Sequence, residues 1–155
     1  MKPVVKILFV CHGNICRSPM AEFIFRKLVR DARLDGLVSV ESCATSREEI
    51  GCDVYPPAKA ELFRRGIPME KRRARQFTAS DYENNDYIVC MDDMNVRNLL
   101  RMTGGDPAGK VSRLMDHTSK PGVVDDPWYT DRFSEVFDQI YFGCQVLLDE
   151  IRKEI

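Results

Sequence analysis

The sequence predicts a three-layer α/β sandwich, a central four-stranded parallel sheet with helices on both faces. Three observations carry this. VVKILFV (4–10) is a β-branched, almost unbroken apolar run, the mark of a strand covered on both sides. Apolar runs then alternate along the chain with segments of helical spacing, the pattern of right-handed β-α-β crossovers. The chain closes on 131–155, where apolar residues at 133, 136, 137, 140, 141, 144, 147, 148 and 151 describe a long amphipathic helix.

Each element has its own signal. SPMAEFIFRKLVRDAR (18–33) places Met20, Phe23, Ile24 and Leu28 at helical spacing, with Ser18 at the N-cap and Pro19 at the first helical position. LVSVESCAT (37–45) alternates like a strand, and PPAKAELFRRGI (56–67) is a helix stopped by Gly66. FTASDYEN (77–84) is a short capped helix starting at Thr78 or Ser80. DYIVCMD (86–92) is the third strand, and DMNVRNLLRM (93–102) a helix closed by Gly104 and Gly105. KVSRLMD (110–116) is the fourth and weakest strand. No repeat or linker divides the chain, so residues 1–155 read as one domain.

Composition narrows the function classes. Lys plus Arg number 23 and Asp plus Glu 24, a formal net charge of −1, which argues against a nucleic-acid partner. No stretch reaches the roughly 20 apolar residues of a membrane span, and the opening run is too short for a signal peptide. A soluble, cytoplasmic protein without membrane insertion is expected. Of the six cysteines, Cys43, Cys90 and Cys144 sit in apolar segments as small hydrophobes. Only Cys11 and Cys16 share a loop with polar and glycine chemistry.

That loop, CHGNICRS, joins the end of the first strand to a helix start, where unpaired N–H groups and the positive end of the helix dipole favour an anion. Gly13 and Asn14 readily adopt the left-handed backbone that folds successive N–H groups into a nest. Arg17 adds a planar fork able to hold two phosphate oxygens. Cys11 stands where these converge and is expected to be a thiolate at neutral pH, with Ser18 donating its hydroxyl to it. The assembly reads as a nucleophile in a phosphate-binding loop. A zinc site on Cys11, His12 and Cys16 fits poorly, because the spacing is not C-x2-C and no partner cluster follows, so no metal or organic cofactor is expected.

A thiolate attacking phosphorus needs a proton donor for the leaving oxygen, and VVDDPWYTD (123–131) offers one. Trp128 and Tyr129 can wall a cleft and shield a carboxyl; the charge of Asp125 beside it favours the protonated form of Asp126. Which of the two aspartates acts is left open by these residues alone.

VCHGNICRSPMAE with DPWY at 126–129 resembles the low-molecular-weight protein tyrosine phosphatases, as do SCATS (42–46), GIPM (66–69), ARQF (74–77) and DYIVCMDDMN (86–95), in the family's order. The resemblance spans essentially the whole chain, and its C-x5-R-S loop is specific. It implies that Cys11 forms a phosphocysteine, Arg17 binds the phosphoryl group, and Asp126 protonates the leaving phenolate and then activates water. His12, Gly13, Asn14, Ile15, Cys16 and Ser18 would form the phosphate loop, with Trp128 and Tyr129 beside it. Cys16 would protect Cys11 through a reversible disulfide. The implied substrates are tyrosine-phosphorylated proteins or small aryl phosphates.

Three departures stand out. His12 replaces a commonly apolar residue or threonine. The family's histidine after GIPM, which buttresses the loop asparagine, is missing from EKRRAR, where Arg72 lies nearest. Glu48 or Glu49 occupies the place of an aromatic flanking the substrate ring. Ile15 should crowd a guanidinium, favouring phosphotyrosine over the phosphoarginine taken by some bacterial relatives. Thiol-linked arsenate reductase is the rival within the fold, but it needs relay cysteines, and only Cys90 lies in the relevant region. A phosphoryl-carrier domain would not need Arg17 or Asp126, and a catalytically idle binding module would not keep all three groups.

Overall fold

Strand β1 (Val5–Cys11) forms the spine of the molecule, and β2 (Val38–Ala44), β3 (Tyr87–Cys90) and β4 (Val111–Arg113) join it in the order β2-β1-β3-β4. Every pairing is parallel, with Val10 facing Cys43 on one neighbour and Cys90 on the other. The computed structural model describes residues 4–155.

Alternation along β1 divides the core. Ile7 and Phe9 pack with α1 (Arg17–Asp31), α2 (Pro56–Arg64) and the last helix; Leu8 and Val10 pack with Phe77, Tyr82 of α3 (Ala79–Asn84) and Leu99 of α4 (Asp93–Thr103). Both faces are therefore covered, which is why the strand sequence is continuously apolar. Cys43, Cys90 and Cys144 are fully buried, as their apolar settings predict. Phe9 meets Phe25 edge to face at 5.6 Å.

Four expectations need correction. The first helix begins at Arg17, so Cys16 and not Ser18 is the N-cap; the anion loop winds directly into helical turns. The fourth strand is only Val111–Arg113, because Leu114–His117 tightens into a 3-10 turn that buries Leu114 and Met115 under the last helix. That helix, α6, spans Phe133–Arg152 and so starts later than the expected 131, and it is preceded by a single-turn helix, α5 (Pro127–Thr130), to which the sequence reading gave no element. Asp131 at φ 62° separates the two. Gly143 lets α6 approach Leu114 closely: a Cβ there would lie 2.6 Å from Leu114 Cγ.

Order β2-β1-β3-β4 makes β1 a switch point, with the chain leaving it first to one side and later to the other. A crevice opens outside the carboxyl ends of β1 and β3 at such a point. Cys11 and Asp92 sit at those ends.

Candidate active site

A cleft of about 110 Å³ occupies that crevice, lined by Cys11, His12, Gly13, Ile15, Cys16, Arg17, Glu48, Glu49, Asp126, Trp128 and Tyr129. The loop that forms its floor is anchored by backbone bonds beyond the strand: Thr45 N–H donates to Cys11 O at 3.0 Å and Ser46 N–H to His12 O at 3.1 Å. On the opposite side, Tyr55 N–H donates to Ile15 O at 2.8 Å.

Within the loop only Asn14 is left-handed, at φ 58°; Gly13 is not, contrary to expectation. A Cβ at Gly13 would stand 3.4 Å from Glu49 Cγ, an ordinary contact with a flexible side chain. The Asn14 turn aims its N–H at Cys11 Sγ (3.3 Å), and Ser18 N–H reaches the same sulfur at 3.4 Å. Ser18 Oγ lies 3.1 Å from Sγ and accepts from Asn14 Nδ2 at 2.7 Å; its own hydrogen donates to Cys43 O at 3.4 Å or can turn to an ionised sulfur. Among the described residues, the N–H groups of Gly13, Ile15, Cys16 and Arg17 find no protein acceptor, which leaves them available to an oxyanion.

Arg17 is almost wholly buried. Its Nη1 donates to Asp92 Oδ2 at 2.6 Å and to Val124 O at 2.8 Å, while Nη2 stands 3.6 Å from Asp126 Oδ2. Burial opposes the charge, but Cys11, Asp92 and Asp126 outweigh it and hold the guanidinium above its ordinary pKa. Cys16 behaves oppositely: burial first, then the neighbouring Cys11, pushes its thiol far above the usual range.

Asp126 is the N-cap of α5, with Oδ1 accepting Trp128 N–H at 3.1 Å and Oδ2 facing Arg17. Asp125 is exposed and does not line the cleft. Trp128 stacks on Tyr55 at 4.7 Å, yet it is 50% exposed and Tyr129 83% exposed. These rings form an open rim and do not seal Asp126 from water, because a one-turn helix ended at Asp131 projects them outward.

His12 Nε2 lies 2.9 Å from Glu48 Oε2 at the mouth, so it neither points freely at solvent nor contacts the sulfur. Among the described residues no three His, Cys, Asp or Glu side chains are arranged to hold a metal ion.

Sequence reasoning placed Asp92 at a strand end without a role; it anchors Arg17 while Oδ1 caps α4 through Asn95 N–H at 2.8 Å. The pattern D-x-x-N at a strand-to-helix junction carried that signal. It also left the asparagine buttress unassigned, and Arg72 fills it, its guanidinium donating to Asn14 Oδ1. Below the loop, Ser42 Oγ accepts from Asn14 Nδ2 at 2.9 Å and donates to buried Glu22 at 2.5 Å. A serine facing inward on a strand and an acid on a buried helix face were the available clues. In the basic stretch from Arg64 to Arg75, Arg64 and Arg65 pair with Glu61, and Arg75 with Asp81 and Glu41.

A doubly wound α/β fold with a cysteine, a buried arginine and a carboxylate converging on a strand-end anion loop defines the class of thiol-centred phosphate-handling domains. The low molecular weight phosphotyrosine protein phosphatase family model matches residues 6–155, and the chain belongs to that family. It is 39% identical over 153 residues to the low molecular weight protein-tyrosine-phosphatase YfkJ of Bacillus subtilis, covering 97% of this chain and 98% of that protein. The crystal structure of YfkJ superimposes with a TM-score of 0.94, covering 97% of this chain and 96% of that one. The human low molecular weight phosphotyrosine protein phosphatase is 39% identical over 149 residues, 93% of this chain and 94% of that protein. The crystal structure of DARP, a drosophila arginine phosphatase, is also similar, with a TM-score of 0.86, 28% identity and coverage of 95% and 98%.

Proposed function

We propose that the chain, acting as a single domain, hydrolyses phosphotyrosine monoesters through a phosphocysteine on Cys11. The observation that carries this is Cys11 Sγ at the floor of the cleft, held by the N–H groups of Asn14 and Ser18, beside free loop amides and the buried Arg17. In the first step Cys11 Sγ bonds to phosphorus and the ester P–O bond breaks. Arg17 and the loop amides hold the equatorial oxygens, and Asp126 gives its proton to the leaving phenolate. In the second, Asp126 takes a proton from water, the water oxygen bonds to phosphorus, and the S–P bond breaks to return the thiolate and release inorganic phosphate.

The geometry supports Asp126 over Asp125, because one carboxyl oxygen is occupied by the Trp128 N–H while the other faces the cleft. Cys16, whose neutral thiol shares the cleft, is the partner for a protective disulfide with Cys11 under oxidation. No helix of the described residues is long and apolar enough to cross a membrane, and the cytoplasm, where thiols stay reduced, suits the nucleophile. The chemistry calls for no metal or organic cofactor.

A likeness to an arginine phosphatase supports a second reading, in which the leaving group is a guanidinium. Ile15, which lines the cleft, favours the aromatic ring. Arsenate reduction is disfavoured by the burial of Cys43 and Cys90 within the sheet. Phosphate release from matched phosphotyrosine, phosphoserine and phosphoarginine substrates, in reducing metal-free buffer, tests the proposal. Release from phosphotyrosine alone is expected. Preference for phosphoarginine would overturn the substrate and keep the mechanism; silence on all three would overturn both.

A further inference from the structure

The basic stretch of the chain holds two kinds of charge. Arg64, Arg65 and Arg75 each pair with a carboxylate. Lys71, Arg72 and Arg73, which lie between them, form no ion pair among the described residues, and the exposed side chains of Lys71 and Arg73 make no hydrogen bond there either. All three line one shallow cavity of about 350 Å³, walled also by Gly51 and Asp53 of the loop after β2.

The acids around this cavity are already engaged. Asp53 pairs with Lys59 at 2.7 Å, Glu22 with Arg26 at 2.6 Å, and Glu70, beside Lys71 in sequence, stands 3.8 Å from Arg26. The chain carries a formal net charge of −1, yet here cations gather around a single, already paired carboxylate. Donors are also left over. Arg72 uses one N–H on Asn14 Oδ1 and another on Cys52 O at 3.5 Å, and its remaining N–H groups have no protein acceptor among the described residues. The backbone N–H groups of Lys71, Arg72 and Arg73 have none there either. Arg72 is part-buried, and burial lowers its pKa, so an anion beside it meets less screening than at an open surface.

The frame is fixed before any ligand arrives. Ala74 N–H donates to Cys52 O at 2.7 Å and Gly51 N–H to Ala74 O at 2.8 Å. Gly51 turns left-handed at φ 89°, and nothing lies within 4 Å of where a Cβ would stand, so that wall stays open.

We propose that this cavity is a second anion site, which takes a phosphate-class dianion, free or carried on a phosphorylated side chain, between Lys71, Arg72 and Arg73. Arginine forks match the paired oxygens of such an anion, and Lys71 adds a point charge. No cysteine, serine or histidine lines the cavity, so the site binds its anion without turning it over. It shares no lining residue with the Cys11 cleft, so both can be filled at once. The site is independent of the phosphatase reading.

The test is an NMR titration of isotope-labelled protein with inorganic phosphate, followed amide by amide, for the wild type and for Lys71→Gln combined with Arg73→Gln. Neither replaced side chain has a protein partner among the described residues, so thermal unfolding should not change. The wild type should show two sets of shifts, Gly13 and Ile15 in the Cys11 loop and Gly51 with residues 71–73 at the outer cavity, each with its own Kd. In the double variant the outer set should bind at least about 10-fold more weakly, through loss of two charge-assisted contacts, while the Cys11 set keeps its Kd. A peptide bearing one phosphoserine separates the sources: tighter binding than phosphate at the outer set assigns the site to phosphorylated segments, and equal or weaker binding assigns it to the free anion. Shifts confined to the Cys11 loop would overturn the inference. So would an unchanged outer Kd in the double variant, or sodium chloride moving the outer set as far as phosphate does, which is the behaviour of a merely screened basic face.

Discussion

The floor and the rim of the cleft are built on opposite principles. On the floor, Cys11, Asn14, Cys16, Arg17 and Ser18 are buried, and Asn14 and Arg17 are each held by several partners from different elements. On the rim, Trp128 and Tyr129 are exposed, and Glu48 meets His12 in a direct, solvent-exposed pair. Donors aimed at a developing charge act best when they need not reorganise, which demands the burial seen below. Recognition of a varied leaving group demands the opposite. Chemistry and selection are therefore separable by mutation.

Removing the proposed nucleophile should give the largest effect. Cys11→Ser is expected to lower phosphate release at least about 10⁴-fold while phosphate Kd stays within several-fold, since the amides and Arg17 remain. Near-normal turnover would show that the floor does no covalent work. A middle effect should come from Asp92→Asn, which keeps the cap on Asn95 but loses the charged partner of Arg17. A fall of roughly 10-fold to 100-fold in kcat/KM is expected, with little change in unfolding temperature. Unchanged kinetics would mean that Val124 O alone fixes Arg17. The smallest effect belongs to the rim: Tyr129→Ala should raise KM for a phosphotyrosine peptide about 2-fold to 5-fold and leave kcat almost untouched, because one exposed aromatic contact is worth only about 0.5–1.5 kcal/mol. A drop in kcat matching the rise in KM would place Tyr129 with the floor.

Much of the floor was legible in CHGNICRS because its spacing is local: nucleophile, turn and arginine fall within one strand-to-helix loop. The paired faces of β1 were legible too, since burial on both sides leaves a continuous apolar run. What stayed hidden depends on contacts across the sequence. Arg72 reaches Asn14 over 58 positions and Asp92 reaches Arg17 over 75, and neither pairing has a periodicity to betray it. Gly13 was misread because the left-handed turn of the loop falls on Asn14 alone. The shortened β4 reflects the pull of Leu114 into the core beneath α6, a tertiary demand that outweighs local strand preference.

The ladder between β1 and β2 does not stop where the strands do, for Thr45 and Ser46 continue it onto Cys11 and His12. Those amides tie the loop to edge strand β2, so their exchange with solvent should be slower than that of unpaired loop amides. Fraying, the ordinary fate of a strand-end loop, is opposed here by two further bonds. The sulfur is thereby tied to the sheet as well as to its own loop.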